Sequence, residues 1–507
     1  MSREDAYQDS LKRGALVNLL GLAAKLIFPL YFVLATWMFG EQVMGLFFLA
    51  SFLVELGISA VSSGFNDAVI VYGSHSSDDE AKADHLYRVM GTGFGLTLAT
   101  GALLLVATFL GADVLGARFY PDRPTLPGLL RIGALSLPFI ALSQIAIAAT
   151  KAKMHMQYDA LINGLVKPFG LLGFSALAWA LGAKAEGLLW AHTVTWAVLA
   201  VLAVRAYGKH FDVGRTARAA LAFRLDRQVL GFAIPQSLNM TFNKYLTRLD
   251  VLMLAHFGFS NAAVAFYATG ALVTSNIREV KLIFSQALAP VAARFHAQGD
   301  PAAFEATLGK VSRWTTSLAM PILLAALILR DDLLVLVDAS YVGDTRFMAV
   351  LLIPPFLSCA FGLAGNSIVF TGHSRWNLVN SLLVAGLNTV FNLWLIPRMG
   401  LLGAAVATAL AASLISALQI VELGLLERIW LRPGHVWQPH LVGGLLLAGA
   451  LLAWDPAQLG GVPTRVGLAV AGALLYSAGL LAVRHPEALG LAARLKARLA
   501  GPPEVDP

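Results

Sequence analysis

Residues 401–424 read LLGAAVATALAASLISALQIVELG, a run of 24 with one ionisable side chain, Glu422. A helix of about 20 such residues covers the roughly 30 Å hydrocarbon core of a bilayer. Runs of this kind recur along the 507 residues. Their spacing predicts fourteen spans: 14–38, 45–69, 89–115, 128–150, 160–182, 186–204, 229–256, 264–289, 312–336, 347–370, 376–396, 401–424, 439–454 and 466–483. Composition agrees, with 57% hydrophobic and only 13% charged residues and a mean hydropathy of +0.70. Ordinary soluble domains carry about 25% charged residues. The fold class is therefore all-α and polytopic.

The first run follows Lys12 and Arg13 as in a signal peptide, but it continues through Trp37 with no small-residue cleavage site, so it is predicted to stay as the first helix. With the N-terminus in the cytoplasm, 23 of the 37 lysines and arginines fall on the inner side, eight on the outer side and six within helices. That bias is the positive-inside pattern for two cytoplasmic termini, and it includes the basic tail Arg494, Lys496, Arg498. The net charge of +7 is thus spent on topology, and nucleic acid is not an expected partner.

The longest inner joint, 205–228, carries Arg205, Lys209, Arg215, Arg218, Arg224 and Arg227 and reads as a linker attracted to anionic headgroups. It separates a six-helix lobe, 1–204, from a second, 229–424. A two-helix appendage, 425–485, and a cytoplasmic tail, 486–507, follow. Two lobes of like orientation suit a parallel repeat in a transporter.

Six cations lie where apolar residues belong: Lys25, Lys167, Lys244, Arg248, Arg278 and Lys281. Each costs on the order of 2.5–3.5 kcal/mol near a helix centre. In the seventh span, Gln236, Ser237, Asn239, Thr241, Asn243, Lys244, Thr247, Arg248 and Asp250 share one side. In the eighth, Tyr267, Thr274, Arg278, Lys281 and Ser285 share a face, with Glu279 at its margin. The expectation is a polar cavity in which cations near the midplane bind a phosphate-type anion, since guanidinium grips phosphate through paired hydrogen bonds. The competing reading is internal neutralisation by Glu55, Asp67, Asp250, Glu279 and Glu422. Lys167, nearer a helix end, reads equally well as snorkelling to the interface. Polar stripes on the second span (Glu55, Ser59, Ser62, Asn66) and the eleventh (Asn377, Ser381, Asn388, Asn392) are read first as interhelical hydrogen bonding.

No nucleotide-binding P-loop and no His-Glu-x-x-His zinc motif occurs, and the single cysteine, Cys359, has no histidine at ligand spacing. Gly91, Gly93 and Gly95 sit in an apolar helix with no preceding strand and read as packing positions. The outer joints are too short for a catalytic domain. No catalytic residue, metal or cofactor is expected, and transport is favoured over enzymatic chemistry.

Three segments carry a resemblance to a known family: GALVNLLGLAAKLIFPLYFVLATWMFGEQVMGLFFLA from Gly14, NKYLTRLDVLMLAHFGFSNAAVAFYATGALV from Asn243, and LNTVFNLWLIPRMGLLGAAVATALA from Leu387. In order and spacing the chain resembles the Wzx-type polysaccharide flippases of the multidrug/oligosaccharidyl-lipid/polysaccharide (MOP) exporter superfamily. The resemblance implies two six-helix lobes in a V, a MATE-like plan, with alternating access around a cationic cavity. It implies as cargo an undecaprenyl-pyrophosphate-linked oligosaccharide, crossing from the cytoplasmic to the periplasmic leaflet of the bacterial inner membrane for O-antigen, capsule or exopolysaccharide assembly. Carried over residue by residue, the headgroup site is Lys25, Arg248, Arg278 and Lys281, with Lys244. Glu55, Asp67, Asp250 and Glu279 become charge partners or sites of proton or sodium coupling. Asn239, Asn243, Asn388 and Asn392 become polar cavity residues. Membrane lipids and the polysaccharide polymerase and export machinery are the implied partners. A multidrug or cation antiporter, a flippase for the cell-wall precursor lipid and, from another class, a membrane-embedded glycan-processing enzyme are the competing functions.

Overall fold

The computed structural model of the chain describes residues 31–73, 80–153, 155–222, 226–278, 280–281, 285, 288, 300–337, 344–371, 374–430, 438–439, 441–446, 449, 461–483 and 489. Among the described residues there is helix and no strand. The chain divides into two compact units, Met1–Ala268 and Thr269–Pro507.

In the first unit α1 (31–39) meets α2 (Glu41–Gly73) at Gly40, whose φ of +78° is the left-handed conformation that a glycine adopts without a Cβ clash. Next come α3 (Glu80–Phe119), α4 (Leu126–Ala134), α5 (Leu137–Ala152) and α6 (Gln157–Asp159). A seven-residue π-helix, Ala160–Val166, leads into α7 (Lys167–Ala180), followed by α8 (Ala185–Gly208). Helices α2, α3, α5 and α8 enclose a core that includes Val69, Met90, Ile145 and Leu199, each wholly buried. The basic joint is itself structured. Asp212 caps α9 (Val213–Leu221) by accepting from the Arg215 amide at 2.9 Å, and Arg215 pairs with Asp84 and lies over the Tyr87 ring. Gly91 and Gly95 of α3 receive the α9 backbone at Ala219 and Ala220, so these glycines are indeed packing positions.

Helix α10 (Arg227–His256) packs antiparallel along α2 in a constant register. Gln236 donates to Asp67 at 2.8 Å, the Gly64 amide donates to the Ser237 hydroxyl at 3.0 Å, and Arg248 reaches Glu55 at 3.8 Å. From Gln236 to Arg248 and from Asp67 to Glu55 the two helices travel equal lengths in opposite directions. The polar side read from the α10 sequence therefore lies, in part, against the polar stripe of α2 rather than against water. At the C-terminal end of α10 Arg123, only 5% exposed, caps the helix: Nη1 donates to the Ala255 carbonyl at 2.6 Å, Nε to Asn261 Oδ1 at 2.9 Å, and Nη2 to the Phe259 carbonyl. A guanidinium on orphan carbonyls satisfies the groups and the dipole of that helix end. Then α11 (Asn261–Asn276) begins.

In the second unit α12 (Pro301–Ile328) packs with the last long helix, α19 (Val462–Ala482). Between them lie α13 (Arg330–Val337), α14 (Arg346–Leu351), α15 (Ile353–Phe361), α16 (Leu363–Phe370), α17 (Ser374–Met399) and α18 (Leu401–Glu427).

Among the described residues nine helices are long and apolar enough to cross a bilayer, and they coincide with nine of the fourteen expected spans. Of the other five, the first is described only from residue 31, and half of 439–454 lies outside the described residues. α10 is 30 residues long but carries Lys244, Arg248 and Asp250. The expected helix 347–370 is broken into α14, α15 and α16, with Pro354 and Pro355 in the first turn of α15 and Gly362 ending it. The expected helix 264–289 is interrupted by a turn at Ile277 and Arg278, after which residues 280, 281, 285 and 288 are again helical.

Candidate functional site

The intramembrane cations gather into a separate cluster in each unit. In the N-terminal unit the centre is Glu55 on α2. Arg248 Nη2 lies 3.8 Å from its Oε2, and Lys244 and Lys167 also act on it electrostatically, as does His192 on α8. Three cations thus act on one carboxylate. At 3.8 Å the Arg248–Glu55 contact is an ion pair but too long for a hydrogen bond, which leaves the guanidinium fork available for a better acceptor.

Aromatic faces hold these cations in place. The Arg248 guanidinium lies 4.0 Å from the Phe52 ring centre, and Lys167 Nζ lies 4.6 Å from that of Trp196. Lys167 is therefore held against α8. The local backbone explains its position. The Lys167 amide bonds to the Ile162 carbonyl, five residues back, and Pro168 offers no N–H for the next turn. The widened π turn is where the chain absorbs that proline, and it sets Lys167 at the junction. Spacing in the sequence showed the proline but not the ring waiting for the lysine.

In the C-terminal unit the segment after α11 tightens, with Arg278 N–H bonding to the Ser275 carbonyl at 3.1 Å and Lys281 N–H to the Arg278 carbonyl at 3.0 Å. Residues i and i+3 eclipse in such turns, so Arg278 and Lys281 stand on one side of the chain and act on each other. Lys281 Nζ sits where a side chain on Gly362 would otherwise be, 2.9 Å from the position of a Cβ there. The buried Cys359 lies beside them, with its Sγ 3.9 Å from the Ile277 carbonyl.

Other expected site residues are placed as follows. Asp250, 8% exposed, accepts from the Tyr267 hydroxyl at 2.6 Å, and Asp67 accepts from Gln236. Asn239 is half-buried on α10. Asn388 and Asn392 are buried on α17. Asn388 donates to Thr408 of α18 at 3.4 Å and Asn392 to the Asn388 carbonyl at 2.9 Å. Asn388 thus ties α17 to α18, while Asn392 bonds back along its own helix. Glu422 accepts from Asn380 across the same helix pair, at 2.5 Å. Lys25, Glu279 and the Asn243 side chain lie outside the described residues. His192, Trp196 and Phe52 were missed in the sequence reading, because neither rings nor a neutral imidazole stand out in apolar helices.

These helices have the fold of the MOP-superfamily transporters. The chain is similar to a lipid II flippase, MurJ, in an inward closed conformation, with a TM-score of 0.68 at 13% identity over 91% of this chain and 98% of that one. A multidrug resistance MATE family transporter in an inward-facing conformation gives 0.64 at 12% identity over 81% and 99%. A MOP superfamily transporter from Pyrococcus furiosus gives 0.50 at 12% identity over 81% and 95%. Residues 41–341, more than half of the chain, match the sequence model of the polysaccharide biosynthesis proteins, and the chain belongs to that family. No curated protein matches it in a sequence search. The multi-pass membrane fold and the superfamily read from the sequence agree with these findings.

Proposed function

We propose that the protein is a flippase that carries a polyprenyl-pyrophosphate-linked oligosaccharide repeat unit from the cytoplasmic to the periplasmic leaflet by alternating access. The observation that supports this reading best is the set of three cations around Glu55. A pyrophosphate is the lipid-linked group that such a set recognises, and membership of a polysaccharide biosynthesis family supplies the glycan. In this mechanism the lipid tail stays in hydrocarbon while protein groups replace water around the polar headgroup, which removes the main barrier to crossing. Arg248, Lys244 and Lys167 bind the pyrophosphate in the N-terminal unit, with Arg278 and Lys281 as the corresponding cations of the C-terminal unit and Lys25 as a further one. The protein sits in the bacterial inner membrane with both termini cytoplasmic. It carries no catalytic group and works beside a polymerase and export machinery, with a proton or sodium gradient as the energy source.

A lipid II-type cargo shares the same headgroup chemistry and is the second reading, favoured by the similarity to MurJ. A cationic drug would meet like charge at Arg248, Lys244 and Lys167, which disfavours the antiporter. The purified protein is expected to bind undecaprenyl pyrophosphate at least about tenfold more tightly than undecaprenol, with affinity falling as salt rises. Microscale thermophoresis in detergent reads both lipids, and equal binding of the two would refute the anion site.

A further inference from the structure

His192 and Trp196 lie one turn apart on α8, and the Trp196 indole Nε1 donates to His192 Nε2 at 3.0 Å. An indole nitrogen can only donate. The bond therefore requires a lone pair on Nε2, and the ring is the neutral form with its proton on Nδ1. That Nδ1 is buried without a hydrogen-bond acceptor, in a side chain only 6% exposed. A buried donor left unsatisfied is costly and marks a group awaiting a partner. Over the ring of the same indole sits a cation, Lys167 Nζ, 4.6 Å from the ring centre. Trp196 thus links a neutral histidine to a lysine of the cation cluster.

A proton on Nε2 makes that atom a donor, and two donors cannot share the bond. The indole is then released, and with it the seat of Lys167. We infer that His192 is a proton switch on the N-terminal cation cluster: an arriving pyrophosphate draws a proton from solution onto Nε2, and the imidazolium releases Trp196 and frees Lys167 to join the anion. This inference rests on the pyrophosphate reading given above. Linkage makes it reciprocal, so a proton that favours the anion is a proton the anion favours.

The charged groups acting on His192 are Glu55 from α2 and Lys167 from the start of α7. Lys244 and Arg248 of α10 act on that same Glu55. The cations of α4 and α5, Arg131 and Lys151, are engaged by Asp113 and Asp159. An anion among these groups adds negative charge next to a ring that now faces Lys167, which is the change that favours the imidazolium.

Calorimetric titration of the full-length protein with inorganic pyrophosphate, in two buffers of different ionisation enthalpy at pH 7, reads the protons taken up per anion bound. The wild type is expected to take up as much as about one proton more than His192→Gln. Glutamine keeps an oxygen for the indole N–H, and the titration of pyrophosphate itself cancels in the difference. Equal uptake with binding intact in both proteins would overturn the switch and leave the anion site standing, whereas no binding by the wild type would overturn both. Should His192→Gln fail to fold, tryptophan emission decides. Pyrophosphate is expected to change the emission of the wild type but not that of Trp196→Phe, and an identical response in the two would overturn the switch.

Discussion

Arg248→Ala is expected to abolish surface polysaccharide while the protein still reaches the membrane in normal amount. The substitution removes the guanidinium that stands 3.8 Å from Glu55 and 4.0 Å from the Phe52 ring centre. Losing a charge-assisted hydrogen bond to a bound pyrophosphate costs roughly 1.5–3 kcal/mol, a loss of about tenfold or more in affinity. Glu55 is then left facing Lys244 and Lys167, which close on it and leave less positive charge for a substrate. Arg248→Lys keeps the charge but not the planar fork, so an intermediate phenotype is expected. In the C-terminal unit, Arg278→Ala is expected to act in the same direction. Immunoblots of membranes, read beside surface polysaccharide, separate loss of transport from loss of protein. Unchanged polysaccharide in both alanine variants would exclude the cation clusters from function.

Gly64→Leu is expected to be as damaging for a different reason. A Cβ on Gly64 would fall 2.0 Å from the Ala233 carbonyl oxygen and 2.6 Å from the Ser237 amide nitrogen, both backbone atoms of α10 that cannot swing aside. The helices would have to separate by roughly 1 Å or more, and overpacking of that kind costs about 1–3 kcal/mol or more. The whole α2–α10 register, including Asp67–Gln236 and Glu55–Arg248, depends on that contact. Expression should fall and the melting temperature of the detergent-solubilised protein should drop by several degrees, on the order of 5 °C. Gly57→Ala is the control, since a Cβ there meets only Leu104 side-chain atoms at 4.0 Å. A normal melting temperature for Gly64→Leu would show that α2 and α10 are not held at this contact.

Much of the fold could be read from apolar run length, because a bilayer admits few alternatives to a helix. It does not show where a run is interrupted. A turn at Ile277 and Arg278 follows α11, and Pro354, Pro355 and Gly362 lie at the breaks that divide one expected span into three helices. Helical periodicity also placed Lys244, Arg248 and Asp250 on one side of α10. It could not say that α2 would occupy part of that side, because the Glu55–Arg248 pairing spans nearly two hundred residues of chain. Lys167 shows the same limit. Its position near a helix end suggested the interface, and only the fold brings Trp196 beneath it and Glu55 near it. For Asn388, on a stripe read first as interhelical hydrogen bonding, the fold supplies the partner, Thr408 of α18.

The most direct test of a cation-lined carrier for lipid-linked glycans is the leaflet position of the lipid-linked repeat unit in a strain lacking the gene. The expected result is accumulation of undecaprenyl-pyrophosphate-linked oligosaccharide on the cytoplasmic face, relieved by the wild-type gene and not by Arg248→Ala, with drug susceptibility unchanged. Normal arrival of the oligosaccharide at the periplasmic face, together with increased drug sensitivity, would contradict the account and point to a cation exporter.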